Sequence, residues 1–114
     1  MRNELERLQD ILDAISAIES ELLQGYNVFE IDRKSQVWVV HHLQIIGEAS
    51  RSLSDAFRNF NPQIPWPQII GMRNIFVHAY FKINVKVVWD TAQNDLPELK
   101  NKVQAILQNM TGTP

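Results

Sequence analysis

The sequence predicts an all-α fold: an antiparallel helical bundle of about five helices. Three observations lead there. Apolar residues recur at three- and four-residue steps over most of the chain, no period-two alternation lasts long enough for a sheet, and one proline-dense stretch divides the helical patterns. The 114 residues, 45% hydrophobic and 21% charged, suit one domain spanning residues 1–114 that buries its core without disulfides or metals.

Each helix has its own signature. Leu5, Leu8, Leu12, Ile15, Ile18 and Leu22 form one stripe, and Gly25 supplies a stop just beyond it. Asn27–Asp32 reads as a short connector, with Asp32 and Ser35 both placed to cap a second helix running to about Phe57. Val37, Trp38, Val39, Val40, Leu43, Ile45 and Ile46 surround the early turns of that helix with apolar groups, so it is expected to be the central element. Gly47 in its middle costs about 1 kcal/mol relative to alanine, which a close backbone approach by a neighbouring helix or subunit would explain.

Asn61-Pro62-Gln63-Ile64-Pro65-Trp66-Pro67 reads as a loop, because proline lacks the amide a helix interior needs. A third helix starts near Trp66, tolerates Pro67 in its first turn and continues through Tyr80. Phe81–Asn84 is a break, after which Asn84 caps a fourth helix containing Val85, Val88, Trp89 and Ala92. Asp95 with Glu98 has the form of a capping box, and Leu99, Val103, Ile106, Leu107 and Met110 make the last helix amphipathic before Thr111–Pro114 frays. Trp38, Trp66 and Trp89 are expected as core anchors.

Composition narrows the function. The absence of cysteine excludes thiol nucleophiles and cysteine-ligated metals. A charged N-terminus lacks the apolar run of a signal peptide, and no stretch approaches the roughly 18 apolar residues of a membrane span, so the expectation is a cytoplasmic protein without a membrane partner. A net charge of −2 argues against broad electrostatic attachment to nucleic acid, so an RNA contact needs a local rim, for which Arg51, Arg58, Lys82 and Lys86 are candidates.

Phosphate chemistry is plausible only at Arg73-Asn74-Ile75-Phe76-Val77-His78-Ala79-Tyr80. On a helical projection Ile69, Met72, Ile75, Phe76, Ala79 and Ile83 share one apolar face, while Tyr80, Arg73, Val77, Phe81, Asn74 and His78 occupy the remainder. That mixed face suits a contact with a second copy. Histidine can take a proton from a ribose 2′-hydroxyl or give one to a leaving oxygen, and arginine offers a planar fork to phosphate. Asn74, four residues before His78, can orient the imidazole or donate to phosphate. Arg73 and His78 sit about 140° apart, so one helix poorly converges both on one atom, whereas two symmetry-related copies can. No cofactor or metal is called for: His41 and His42 are adjacent and expected to point apart, and no metal-ligand motif appears. His41, Gln44 and Glu48 share a face, expected to satisfy buried hydrogen bonds or meet a partner subunit, with a polar line near the cleft as the other reading.

The octet also resembles the Arg-x4-6-His-x-Tyr signature of HEPN toxins, in the HepT-like group. Ile45-Ile46-Gly47-Glu48-Ala49, Ile64-Pro65-Trp66, Ile69-Ile70-Gly71-Met72-Arg73-Asn74 and Val88-Trp89 through Asn94-Asp95-Leu96-Pro97 follow that family in order. The resemblance implies a HEPN-like homodimer with metal-independent endoribonuclease activity at a shared cleft, in which Arg73 and His78 are the catalytic pair and Asn74 their polar neighbour. It further implies a toxin whose partner is an MNT-type nucleotidyltransferase antitoxin that transfers AMP to Tyr80. Phe81-Lys82-Ile83-Asn84 departs from the glycine-containing turn of many relatives. The alternative function is a non-catalytic helical partner that regulates a nucleotidyltransferase.

Overall fold

The computed structural model describes residues 3–78 and 84–112, with residues 74–78 described by their backbone alone. Among them the elements run α1 (Glu4–Leu22), α2 (Tyr26–Ile31), α3 (Arg33–Arg51), α4 (Asp55–Phe60), α5 (Trp66–His78), α6 (Val85–Asp90), a π-helical turn (Thr91–Asp95) and α7 (Leu96–Thr111). No described helix is long and apolar enough to cross a membrane.

The first helix starts where Asn3 Oδ1 accepts from the Glu6 amide at 2.9 Å, and it buries Leu8, Ile11, Ala14, Ile15 and Ile18. Gly25 follows with φ +87°, in the left-handed region that glycine occupies without steric cost. The expected connector at Asn27–Asp32 is instead mostly the single-turn helix α2. Its Phe29 is fully buried, and Gln36, itself buried, donates its amide to the carbonyls of Phe29 and Glu30 at 2.9 and 3.0 Å. The Phe29 carbonyl also accepts from the Asp32 amide at 3.3 Å, so a buried glutamine and the C-cap amide together serve the last carbonyls of a helix too short to be recognised by periodicity.

Asp32, rather than Ser35, caps α3, accepting from the amides of Lys34 and Ser35 at 3.1 and 3.3 Å. Ser35 is turned to α1, where its hydroxyl donates to Glu21 at 2.5 Å. The Trp38 indole donates to the Ala17 carbonyl at 3.3 Å, and the Ser54 amide donates to Glu4 at 3.3 Å. These contacts join the end of α1 to the start of α3 and the start of α1 to the residues just past α3, so the two helices are antiparallel. The central helix packs on α1 and α5 and buries Val39, Val40, Leu43 and Ile46, as expected.

The helix expected to reach Phe57 ends at Arg51. Ser52 bonds back to the Glu48 carbonyl, and Ser54 starts α4 by accepting from the Phe57 amide at 3.1 Å. Two serines thus offer the backbone local alternatives to a continuous helix. The proline-dense loop is held at both ends, with Asn61 donating to the Phe57 carbonyl and the buried Trp66 indole donating to the Asn61 carbonyl, each at 2.9 Å.

Asn84 caps α6 as expected, accepting from the Val87 amide at 3.2 Å. The capping box at Asp95 does not form: Asp95 has helical backbone angles and no capping bond. The chain passes from α6 through the π turn into α7 without stopping. Pro97 has no amide for the Gln93 carbonyl and its ring would meet that carbonyl in an α-helix, so a widened turn just upstream lets the helix continue. Lys100 ties α7 to α1 by pairing with Glu19 at 3.1 Å.

Of the tryptophans, Trp66 is buried and Trp89 packs half-buried against Tyr26 and Phe29. Trp38 corrects the expectation of a core anchor. It is 46% exposed, its ring lying 4.3 Å from that of His42. Position 38 shares an α3 face with Lys34, His41 and Glu48, all exposed, and this face is directed away from the apolar interior.

Candidate active site at the crossing of α3 and α5

The site begins with the missing side chain of Gly47. A Cβ there would lie 2.9 Å from the backbone nitrogen of Arg73, 3.0 Å from its Cβ and 3.3 Å from the Ile69 carbonyl oxygen. The close approach expected at Gly47 is therefore made by α5, and its nearest point is Arg73. Ile69 and Met72 face the core from α5, which fixes the rotation of the helix.

That rotation leaves Arg73 at the rim. Its Nε forms an ion pair with the Glu48 carboxylate, the side chains being 40% and 50% exposed respectively. Glu48 also reaches Arg51 at 3.5 Å. Five residues beyond Arg73, His78 is the last residue of α5. On an ideal helix this interval is a rise of about 7.5 Å and a rotation of about 140°, so the two positions share a helix but not a face. The side chains of Asn74 and His78, and Tyr80 altogether, lie outside the described residues, as do Lys82 and most of the expected break at Phe81–Asn84.

His41, Gln44 and Glu48, which share a face of α3, occupy separate environments. His41 is exposed, and its ring meets that of His42 edge-on at 5.2 Å, although adjacent helical positions were expected to point apart. His42 Nδ1 is 2.8 Å from the Trp38 carbonyl, which holds its ring. The amide nitrogen of Gln44 is buried with no hydrogen-bond partner among the described residues. Among the described residues, Glu48 pairs with Arg73 of the octet. Sequence reasoning placed Glu48 with His41 and overlooked Arg73; the cost of glycine at the preceding position was the available signal, because it marks where another helix comes closest.

Three members of the expected basic rim have acidic partners one turn away. Arg51 meets Glu48, Arg58 meets Asp55, and Lys86 meets Asp90 at 2.8 Å. Their positive field is correspondingly reduced, which weakens the case for a local basic rim at these positions. Concave surface also occurs elsewhere. A cleft of about 340 Å³ between α5, the π turn and α7 is lined by residues including Gln68, Met72, Thr91, Asp95, Glu98 and Lys102. A shallower groove of about 460 Å³ follows Arg33, Lys34, Val37, Trp38 and His41.

The Lys102 ammonium in the cleft is engaged by Glu98 at 3.0 Å and the Gln63 carbonyl at 2.7 Å. Arg73 lines neither concavity. Its guanidinium nevertheless has the features required to bind an anion at the surface: partial exposure, a fixed backbone and a partner that engages it through Nε.

Comparison with known proteins bears on this arrangement. The model of the ribonuclease HepT-like family matches residues 5–106. The chain is 38% identical over 106 residues to a protein of Thermococcus cleftensis named "Probable ribonuclease HepT", covering 92% of this chain and 96% of that one. It is 36% identical over 100 residues to a protein of Methanocaldococcus jannaschii named as a candidate RNase, covering 87% and 92% of the two chains. A second protein of that organism, also named as a candidate RNase, is 32% identical over 108 residues, covering 95% and 84%. No solved structure matches. With the family match extending from the first turn of α1 into the last turns of α7, the chain belongs to the ribonuclease HepT-like family.

Proposed function

We propose that this chain is a metal-independent endoribonuclease toxin, acting in the cytoplasm as a HEPN-like homodimer and cutting single-stranded RNA at a cleft built from two copies. The observation that carries the reading is the half-exposed Arg73 at the α3–α5 crossing, five residues before His78 on the same helix. Names of relatives that refer to ribonucleases support the substrate class. Because Arg73 and His78 do not share a helical face, a twofold pairing of α5 helices brings the two motifs together.

The reaction uses proton transfer and charge stabilisation. One His78 removes the proton of a ribose 2′-hydroxyl, and the 2′-oxygen attacks the adjacent phosphorus. The bond to the 5′-oxygen breaks, and the other His78 protonates that leaving oxygen. The products are a 2′,3′-cyclic phosphate and a 5′-hydroxyl. Arg73 binds the phosphate and stabilises charge on its equatorial oxygens, while Asn74 supports the histidine or the phosphate. An unpaired strand is favoured because in-line attack needs a backbone freer than that of A-form duplex.

An MNT-type nucleotidyltransferase antitoxin is the proposed partner. The Tyr80 oxygen attacks the α-phosphorus of ATP, pyrophosphate leaves, and an anionic AMP is placed two residues from His78. That charge repels RNA phosphate. Labelled ATP tests the acceptor: equal incorporation into the wild type and Tyr80→Phe removes Tyr80 from this role.

Purified protein incubated with cellular RNA in excess EDTA tests the activity. Wild type is expected to leave 2′,3′-cyclic phosphate ends, and Arg73→Ala and His78→Ala to leave the RNA intact. Absence of cleavage by folded protein carrying no AMP on Tyr80 overturns this reading in favour of the non-catalytic partner.

A further inference from the structure

We infer that Glu48 is a positioning residue for the ribonuclease site, aiming Arg73 at the scissile phosphate, an inference that rests on the function proposed above. The geometry is specific to this pair. Gly47 lets α5 approach until the Arg73 backbone is in contact with α3, and Glu48, the next residue, receives the Arg73 side chain. The α3–α5 crossing therefore sets both ends of the ion pair: the origin of the arginine side chain and the carboxylate that directs it.

The contact is made through Nε. A guanidinium held in this way can present its terminal nitrogens Nη1 and Nη2 to a second anion, the two-pronged arrangement that suits phosphate. Neither side chain is more than about half-exposed, and an ion pair in such a setting contributes little to stability. A carboxylate beside a phosphate site also repels RNA. Ordering a long, flexible arginine compensates by reducing the freedom it loses when phosphate binds. Arg51, 3.5 Å from the same carboxylate, offsets part of its charge.

Shielding and positioning predict different kinetics. If Glu48 merely shields Arg73, removing it strengthens RNA binding and speeds cleavage. A positioning residue lost raises or preserves affinity while lowering kcat, because the arginine still attracts phosphate but is no longer aimed.

The test measures kcat and KM on a single-stranded RNA for wild type, Glu48→Ala, Glu48→Gln and Glu19→Ala. Glu19 also belongs to a part-exposed interhelical ion pair, with Lys100, and serves as a control for general loss of such a contact. Expected are a roughly 10- to 100-fold loss of kcat in Glu48→Ala at unchanged or lower KM, substantial recovery in Glu48→Gln, which keeps an oxygen for Nε, and wild-type kinetics in Glu19→Ala. In parallel, the Arg73 Nε–H proton signal in NMR is expected to exchange slowly in wild type and rapidly in Glu48→Ala. Wild-type kinetics in Glu48→Ala, a gain in kcat, or equal Nε–H exchange in both proteins overturns the positioning role. If Arg73→Ala abolishes cleavage in the same experiment, the ribonuclease reading survives that failure. A folded wild type free of AMP that cuts no RNA overturns the ribonuclease reading and the positioning role with it.

Discussion

Replacing Gly47 with alanine tests the helix crossing that places Arg73. The substitution has two opposing effects. Alanine favours a helix interior over glycine by about 1 kcal/mol. The added methyl, however, would lie 2.9 and 3.0 Å from two Arg73 atoms and 3.3 Å from the Ile69 oxygen. Carbon contacts are optimal at roughly 3.5–4.0 Å, so α3 and α5 must separate by several tenths of an ångström.

Two of those neighbours are backbone atoms and the third is a Cβ fixed to the backbone, so no side-chain rotation relieves the contact. Overpacking of this kind costs about 1–3 kcal/mol. The net expectation is about 0–2 kcal/mol of destabilisation, seen as a lower urea midpoint at unchanged m and a Tm lower by up to roughly 10 °C. Protein concentration must be fixed, because self-association shifts apparent stability. Gly71, on α5, supplies the comparison: a Cβ there meets nothing within 4 Å among the described residues, so Gly71→Ala should stabilise by about 0.5–1 kcal/mol. If Gly47→Ala gains as much as Gly71→Ala, the close crossing is refuted.

Further consequences concern buried polar groups and the alkaline limit. Trp66→Phe removes the nearer donor to the Asn61 carbonyl, leaving the Ile64 amide at 3.5 Å, and should cost about 1–3 kcal/mol in urea unfolding. Gln36→Leu removes the side-chain donor to the Glu30 carbonyl and leaves the Phe29 carbonyl with the Asp32 amide at 3.3 Å; a loss of about 1–3 kcal/mol and faster amide exchange in α2 are expected, whereas unchanged exchange would show that Gln36 does not hold that turn. Desolvation, followed by the Glu30 carboxylate, raises the Tyr26 phenol above its ordinary 10.0, and the hydrogen bond to Asp90 raises Lys86 above 10.5. Both groups bind protons more tightly in the folded state. Their stabilisation is complete below the unfolded values and is lost as pH rises through the folded ones, so denaturant midpoints should fall above about pH 10. Lys86→Met should weaken that fall, while an identical alkaline profile would show that Lys86 makes no contribution to it.

The sequence was most informative where one periodicity extended over several turns. The stripe from Leu5 to Leu22 gave α1, and the apolar turns after Asp32 gave α3 as the central helix. It was least informative where short-range chemistry competed with periodicity. Phe29 needed a helical turn to enter the core, but six residues show too little pattern to distinguish that turn from a connector. Ser52 and Ser54 ended a helix at side-chain hydrogen bonds that an apolar pattern does not record. Asp95 and Glu98 matched a capping box, yet Pro97 was accommodated by a π turn and no cap was required.

At the site, the octet announced the chemical types, while the α3–α5 crossing supplied the partner of Arg73. Glu48 and Arg73 are 25 residues apart, so helical spacing cannot connect them. Gly47 did carry that information in incomplete form: an energetically unfavourable residue in a central helix implied a close neighbour without saying which. The identity of that neighbour ties a packing feature to the proposed site. A larger residue at 47 would displace the origin of the Arg73 side chain, whereas loss of Glu48 would leave the origin fixed and release only the guanidinium. Stability should therefore respond chiefly to position 47 and catalytic rate to both, a separation that links the packing of the helices to the proposed chemistry.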